Sequence, residues 1–220
     1  ALTYEILKRK PKSLILIEKD ISLAKALKEK LKNEKNVKVF NSDILNFDLE
    51  RRIKPRTIIF GNLPYNISSQ ILVRFLKFKR WPPKYSNLVL MFQKELAEKI
   101  IGKFKSKNYG RLSIITKYRL NLIKKFIVSN NCFFPSPKIM SCVLHFKPIF
   151  KNKINIQNVK NLEKVTNYLF SSKRKMINKN LKKLFNEYDI RNSLNINLKS
   201  RPTDLEPEIY YKITQLIEKH

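Results

Sequence analysis

The sequence predicts an α/β protein: a doubly wound sheet with an antiparallel edge hairpin, then a small all-helical C-terminal domain. Short apolar runs alternate with helical patterns through the first half, which implies strands joined by helices in a mostly parallel sheet. After Pro148 strand signals cease and only helical patterns continue. With 220 residues, 43% of them hydrophobic, the chain suits one medium domain with an appendage and a real core.

Ser13–Ile17 reads as a buried strand ending at Glu18. Asp20 then caps a helix with Leu23, Ala24, Leu27 and Leu31 on one face. Val37–Phe40 is a second strand, and Thr57–Phe60 a third that Gly61 stops. A helical stripe covers Ile67–Phe78, Leu88–Phe92 is an apolar strand, and Gln93–Ile101 and Arg111–Tyr118 read as helices. Asn121–Val128 and Ile139–Phe146 form the antiparallel pair at the sheet edge. Helices are expected over Val159–Phe170, Arg174–Phe185 and Pro207–Ile217. The division into domains falls between 147 and 148, and Lys151-Asn152-Lys153 reads as a linker. No internal repeat is present.

Lys and Arg total 47 against 17 Asp and Glu, a formal charge of +30. Internal ion pairs cannot neutralise such an excess, so the surface carries positive potential and a dense polyanion is the natural partner. A lysine- and asparagine-rich compositional bias is the alternative source of the charge. The cations are spread along the chain rather than gathered in one amphipathic segment, which argues against a membrane surface. No apolar run approaches the roughly 20 residues that span a bilayer. Ala1-Leu2-Thr3-Tyr4 is not a basic region leading into an apolar stretch, so no signal peptide is expected. Cys132 and Cys142 read as reduced core residues, His145 as a sheet residue, and no metal site is expected.

The sharpest signal is Gly61-Asn62-Leu63-Pro64-Tyr65-Asn66, directly after the third strand. Ligands of open α/β sheets gather at the carboxyl ends of strands. A polar-apolar-Pro-aromatic tetrad there suits chemistry on an exocyclic amine. The lone pair of adenine N6 is delocalised into the ring, so two hydrogen-bond acceptors on its N–H groups would favour a pyramidal, nucleophilic nitrogen. The Asn62 side chain supplies one acceptor. The Leu63 carbonyl supplies the other, held extended by Pro64, and Tyr65 would stack on an unstacked base. A strand ending in a proline turn is the plainer reading of the same residues.

The stretch Phe60–Ser69 resembles motif IV of the small-subunit ribosomal RNA adenine dimethyltransferases of the KsgA type. Met91–Glu95, Tyr109–Ser113 and Phe133–Lys138 resemble the same family in the same order. Phe170–Lys175 and Asn180-Leu181 are similar to its C-terminal helical domain. The resemblance covers nearly the whole chain. It implies a Rossmann-like methyltransferase domain over 1–147, a helical RNA-binding domain over 148–220, and S-adenosylmethionine as cofactor. Two methyl groups would go to N6 of each of two neighbouring adenines in small-subunit rRNA, within a pre-ribosomal particle, during ribosome biogenesis. By position, Asn62, Leu63, Pro64 and Tyr65 would form the catalytic tetrad, and Phe133, or its neighbour Phe134, would close the other face of the base. Glu18 would take the cofactor ribose hydroxyls. Asp43, with Ile44 beside it, would take the cofactor adenine, and Asn62 would also touch the cofactor. The family's Glu-x-Gly-x-Gly loop is not among the three glycines, Gly61, Gly102 and Gly110. The resemblance therefore implies that the first strand and that loop lie outside this chain, and weak cofactor binding is expected without them.

Arg74, Lys77, Lys79, Arg80 and Lys84 interleave with Phe75, Phe78, Trp81 and Tyr85, with Phe75 and Phe78 also at core spacing. Lys99, Lys103, Lys105, Lys107 and Arg111 follow, then Lys173, Arg174, Lys175, Lys179, Lys182 and Lys183. Cations supply backbone affinity and aromatics stack on unpaired bases. Arg74, Arg80, Lys103, Lys107, Arg111, Lys173, Arg174 and Lys175 are the expected RNA contacts. A monomer is expected, without membrane association, in the cytoplasm or, for a eukaryotic source, an organelle. Two alternatives share the fold. One is a non-enzymatic factor for ribosome assembly or mitochondrial-type transcription, against which the intact tetrad argues. The other is an enzyme acting on large-subunit rRNA or DNA.

Overall fold

The computed structural model describes residues 2–184 and 196–219. The chain divides into two compact units, Ala1–Arg52 and Ile53–His220, so the division read at 147/148 lies inside the second.

The first unit holds α1 (Leu2–Leu7), β1 (Leu14–Glu18), α2 (Ile21–Lys30), β2 (Val37–Asn41) and α3 (Leu49–Arg52). β1 and β2 are parallel, in register from Leu14↔Val37 to Glu18↔Asn41. Asp20 caps α2, its carboxylate accepting from the Leu23 N–H at 2.8 Å. Ala24 and Leu31 are buried, but Leu23, expected beside them, is 57% exposed. It stands one residue from Ala24, about 100° round the helix, and so leaves the buried stripe. The Arg52 guanidinium lies 4.9 and 5.1 Å from the Phe40 and Phe47 ring centroids, covering that aromatic pair with a cation. The short helices α1 and α3 were not expected from the sequence.

The second unit is built on β3 (Thr57–Asn62), β4 (Tyr85–Gln93), β5 (Leu120–Val128) and β6 (Ser141–Pro148), in the order β3-β4-β6-β5. β3 and β4 are parallel; β6 runs antiparallel to β4 and β5. The parallel crossover and the antiparallel edge pair are both present. The crossover helix α4 (Ser68–Leu76) buries Ile71, Leu72, Phe75 and Leu76. Leu88, Leu90 and Phe92 of β4 and Leu144 and Phe146 of β6 are all at most 1% exposed and form the sheet's core side. α5 (Lys94–Ile100) and α6 (Arg111–Arg119) follow. α6 buries Ser113 to Thr116, Tyr118 and Arg119, and it packs against both β5 and α7 (Val159–Phe170). A helix between two layers is buried most of the way round, so it has no single apolar stripe.

The Tyr109-Gly110-Arg111-Leu112-Ser113 run starts this helix. The buried Ser113 hydroxyl donates to the Gly110 carbonyl at 2.9 Å and accepts from its N–H at 3.1 Å. Tyr109 donates to the Leu205 carbonyl at 2.8 Å, and Tyr211, on α9 (Pro207–Ile217), donates to the Ile114 carbonyl at 3.1 Å. Buried phenols with backbone acceptors thus join the C-terminal helices to α6.

α8 spans Asn178–Leu184, four residues shorter at its start than expected, and the expected end at Phe185 lies outside the described residues. The segment read as a linker is fastened down. Ile149 N–H donates to the Arg119 carbonyl at 2.8 Å, and Asn152 Nδ2 to the Tyr118 carbonyl at 3.0 Å. The Tyr118 hydroxyl accepts from Ile156 N–H at 2.8 Å and donates to the Ile154 carbonyl at 3.2 Å. Glu218 then closes the start of α7, its carboxylate accepting from Gln157 N–H, Asn158 N–H and Asn161 Nδ2 at 2.6, 2.9 and 2.9 Å. Glu218→Ala is expected to destabilise the protein by about 1.5–3 kcal/mol, the scale of hydrogen bonds to a charged group. The check is a lower urea midpoint at unchanged slope; an unchanged midpoint would show that packing alone holds α7.

Candidate active site at the carboxyl end of β3

β3 continues through Gly61 to Asn62, two residues beyond its expected end, because the ladder to Leu90 and Met91 of β4 continues. Gly61 leaves room for two leucine side chains to approach closely. A Cβ there would lie 2.6 Å from Leu63 Cδ2 and 2.9 Å from Leu90 Cδ2. Without one, the Leu63 side chain folds back over the strand it has just left.

The chain after Asn62 is tied at each step. Ile67 N–H donates to the Pro64 carbonyl at 3.2 Å, and the buried Ser68 hydroxyl donates to the Tyr65 carbonyl at 3.0 Å. The Tyr65 hydroxyl and Ser141 Oγ share a hydrogen bond of 2.6 Å. Ser141 is fully buried at the start of β6, paired with Gln93 on one side and Val128 on the other. Tyr65 is thereby held at the sheet end where β4 terminates. Ser141 was not singled out from the sequence; a lone serine 76 residues from Tyr65 carries no signal until β6 is paired. Asn62 and Pro64 are exposed, Leu63 and Tyr65 half-buried. Among the described residues nothing takes the Asn62 side-chain amide or the Leu63 carbonyl, so two acceptors stand next to each other with open valence.

Phe133 lies in the connection that leaves β5 and enters β6 at Ser141. It is half-buried, and its N–H donates to the Asn130 carbonyl at 3.2 Å. Phe134 is fully exposed. Cys132 is exposed rather than a core residue, because a short 3₁₀ turn over Asn130–Cys132 carries it outward. Cys142 is buried, and burial pushes its thiol above the usual value, so it stays protonated. His145 sits in β6 with Nε2 at 2.7 Å from Asn87 Oδ1.

In the first unit, Glu18 ends β1 and its Oε1 accepts from Asp20 N–H at 2.9 Å. Asp43 follows β2; Oδ1 accepts from Leu45 N–H at 2.9 Å and Oδ2 pairs with Lys19 Nζ at 2.8 Å. Ile44 beside it is half-buried. Two partly buried carboxylates therefore stand at the carboxyl end of one parallel sheet, where a vicinal diol and an aromatic amine both find acceptors. Lys19, which neutralises Asp43, was not foreseen.

The cations separate into two kinds. Lys103, Lys107, Arg111, Lys173, Arg174 and Lys175 are exposed. Arg74 and Arg80 are engaged by other protein groups, and Lys77 pairs with Glu163 at 2.7 Å. The aromatics interleaved with them are committed to the interior. Phe75, Phe78 and Tyr85 pack ring against ring at 5.8–5.9 Å. The Trp81 indole donates to the Ile149 carbonyl at 2.7 Å under the Arg119 cation, 4.2 Å from its ring. They are not platforms for a nucleobase, as their interleaving with lysines had suggested. The side chains of Lys182 and Lys183 lie outside the described residues.

The family model described as "Ribosomal RNA adenine dimethylase" matches residues 1–219. A Pelagibacter ubique protein named "Ribosomal RNA small subunit methyltransferase A" is 42% identical over 218 residues, covering 99% of this chain and 82% of that one. An Ehrlichia canis protein of the same name is 38% identical over 219 residues, covering 98% and 82%. Among solved structures, a dimethyladenosine transferase from Plasmodium falciparum superposes with a TM-score of 0.72 at 23% identity over 94% of this chain and 82% of that one. The 23S rRNA methyltransferase ErmE gives 0.67 at 22% identity over the same shares. At those identities the two likenesses show the fold.

Proposed function

The chain belongs to the ribosomal RNA adenine dimethylase family, and from that premise we propose that it methylates N6 of two adjacent adenines in small-subunit rRNA with S-adenosylmethionine. The observation that carries the reading is the pair of open acceptors at Asn62 and Leu63, beside an aromatic ring locked by Ser141. Relatives of 42% and 38% identity named as small-subunit methyltransferases support the enzyme over a factor that acts by occupancy alone.

Tyr65 on one face and Phe133 on the other hold the extruded base. The Asn62 side-chain oxygen and the Leu63 carbonyl accept its two N6 hydrogens. These bonds favour a pyramidal nitrogen and strengthen as positive charge grows on it, so they are worth most in the transition state. Pro64 removes one backbone donor and stiffens the carbonyl's direction. When bound, S-adenosylmethionine would supply a sulfonium-activated methyl group whose leaving group is a neutral thioether. Glu18 would hold the cofactor's ribose hydroxyls, and Asp43 and Ile44 would hold its adenine. The methylated nitrogen passes its proton to solvent, so no general base is required of the protein. Residues 1–147 carry this chemistry. Residues 148–220, with Lys173, Arg174 and Lys175, grip the RNA of a pre-ribosomal particle, aided by Lys103, Lys107 and Arg111 and, at the edge of the contact, Arg74 and Arg80. The protein works as a monomer in the cytoplasm. No helix among the described residues is long and apolar enough to cross a membrane.

Incubation of labelled S-adenosylmethionine with undermethylated small and large subunits tests the substrate. Label is expected in small-subunit RNA; label confined to large-subunit RNA would reassign the target. Tyr65→Ala should lower kcat/KM on small subunits by about 1–3 kcal/mol of lost base stacking. Tyr65→Phe keeps the ring and loses only its bond to Ser141, about 0.5–1.5 kcal/mol. Equal activity in all three proteins would remove Tyr65 from the site.

A further inference from the structure

A concavity of about 540 Å³ opens in the larger unit among the residues after α5, Lys117 of α6, the segment after β6 and the start of α9. β6 begins at Ser141, the tetrad's anchor, and ends at Pro148, next to this concavity. At roughly 3.3 Å per residue, a strand of that length puts the two places about 20 Å apart or more. The concavity is a separate site, and its volume falls in the range of small-molecule pockets.

Its lining combines three chemistries. Phe104 and Tyr211 supply aromatic surface. Tyr109 meets Phe104 edge-on at 5.6 Å, the Lys105 ammonium lies over one side of the Phe104 ring 5.5 Å from its centroid, and Tyr118 meets Tyr211 at a tilt, 4.9 Å away. Glu206 and Glu208, both exposed, place two carboxylates at one side. Lys117, Lys151 and Lys153 add three cationic side chains to the lining, the Lys117 ammonium lying 5.9 Å from the centroid of the Tyr109 ring. Burial lowers the Lys117 pKa, with Glu208 opposing the shift and Lys103 reinforcing it, so these charges sense one another. Beside the opening, the 102–109 loop presents the exposed Lys103, Lys105 and Lys107. That loop is closed over Gly102, where a Cβ would meet the Asn108 carbonyl oxygen at 2.3 Å.

An aromatic wall takes a nucleobase, cations take the flanking phosphates, and carboxylates accept from a base edge that carries donors. Guanine alone offers an imino N–H beside an exocyclic amine, two adjacent donors for a carboxylate; uracil sets its single N–H between two carbonyls. We propose that this concavity is an RNA exosite that receives one unpaired guanosine of the substrate RNA, with Glu206 and Glu208 reading its Watson–Crick edge and Phe104 packing on its face. The choice of RNA as the ligand rests on the function proposed above.

Guanosine 5′-monophosphate is the direct probe, followed by NMR of the protein's aromatic rings. It is expected to shift the Phe104 and Tyr211 signals saturably, while uridine 5′-monophosphate does not. E206Q/E208Q is expected to abolish that preference. On small subunits the same double variant gives a test of sign. Removing two negative charges should tighten a purely electrostatic contact with RNA, whereas loss of guanine recognition should weaken binding roughly tenfold, the scale of one bidentate base contact. Tighter or unchanged subunit binding, or equal shifts with both nucleotides, would overturn the proposal. Methyl transfer by wild type without any guanosine response would sink the exosite and leave the enzymatic reading standing. A guanosine response without methyl transfer would do the reverse.

Discussion

Asn62→Ala is expected to slow methyl transfer by about 10²–10³-fold under single turnover with saturating subunits, the range for losing one preorganised hydrogen-bond partner of a transition state. The Asn62 amide is exposed at the end of β3, so its loss leaves no cavity and the fold is expected to be unperturbed. Subunit affinity should stay near normal, because one neutral side chain contributes little to a phosphate-dominated interface. The Leu63 carbonyl remains in the variant and sets the residual rate. A variant that binds subunits poorly yet keeps its single-turnover rate would show that Asn62 positions RNA instead of the reacting amine.

Joint replacement of Lys173, Arg174 and Lys175 by alanine should have the opposite signature. All three are exposed in the turn between α7 and α8, where the Lys175 backbone N–H donates to the Ser172 carbonyl at 2.9 Å. Alanine keeps that bond, so the turn survives. If each side chain neutralises one phosphate, the slope of log K against log salt falls by about 2–3, and affinity near 0.1 M salt drops on the order of 10–100-fold. The rate at saturating subunits should be unchanged. An unaltered slope would move the RNA footprint away from the C-terminal helices.

Much of this architecture was legible in the sequence. Ile58-Ile59-Phe60 and Leu88–Phe92 are apolar runs of strand length, and α7 and α9 have clear stripes with Asn158 and Pro207 at their starts. Local signals were weaker at ends. β3 outran Gly61 because its partner β4 continued beside it, and no single-strand pattern contains that. α8 begins at Asn178 because the cationic run before it belongs to a solvated turn. Long-range contacts were invisible. The pairing of Tyr65 with Ser141, the Arg119 cation over Trp81, and the Glu218 clamp on α7 each join residues far apart in sequence. Trp81 among lysines resembled a base platform until Ile149 took its indole N–H. The tetrad was readable for the reverse reason: strand, glycine, acceptor, proline and aromatic ring are contiguous, so the chemistry lies within one short segment.

The central claim is methyl transfer to adenine N6 in small-subunit rRNA. Its most direct test is nucleoside mass spectrometry on small-subunit RNA from a bacterial strain that lacks this dimethylation and carries the gene encoding this chain. N6,N6-dimethyladenosine should appear with the wild-type gene and fall to background, or nearly so, with Asn62→Ala. Small subunits that assemble and bind the wild-type protein yet contain no N6,N6-dimethyladenosine would contradict the account.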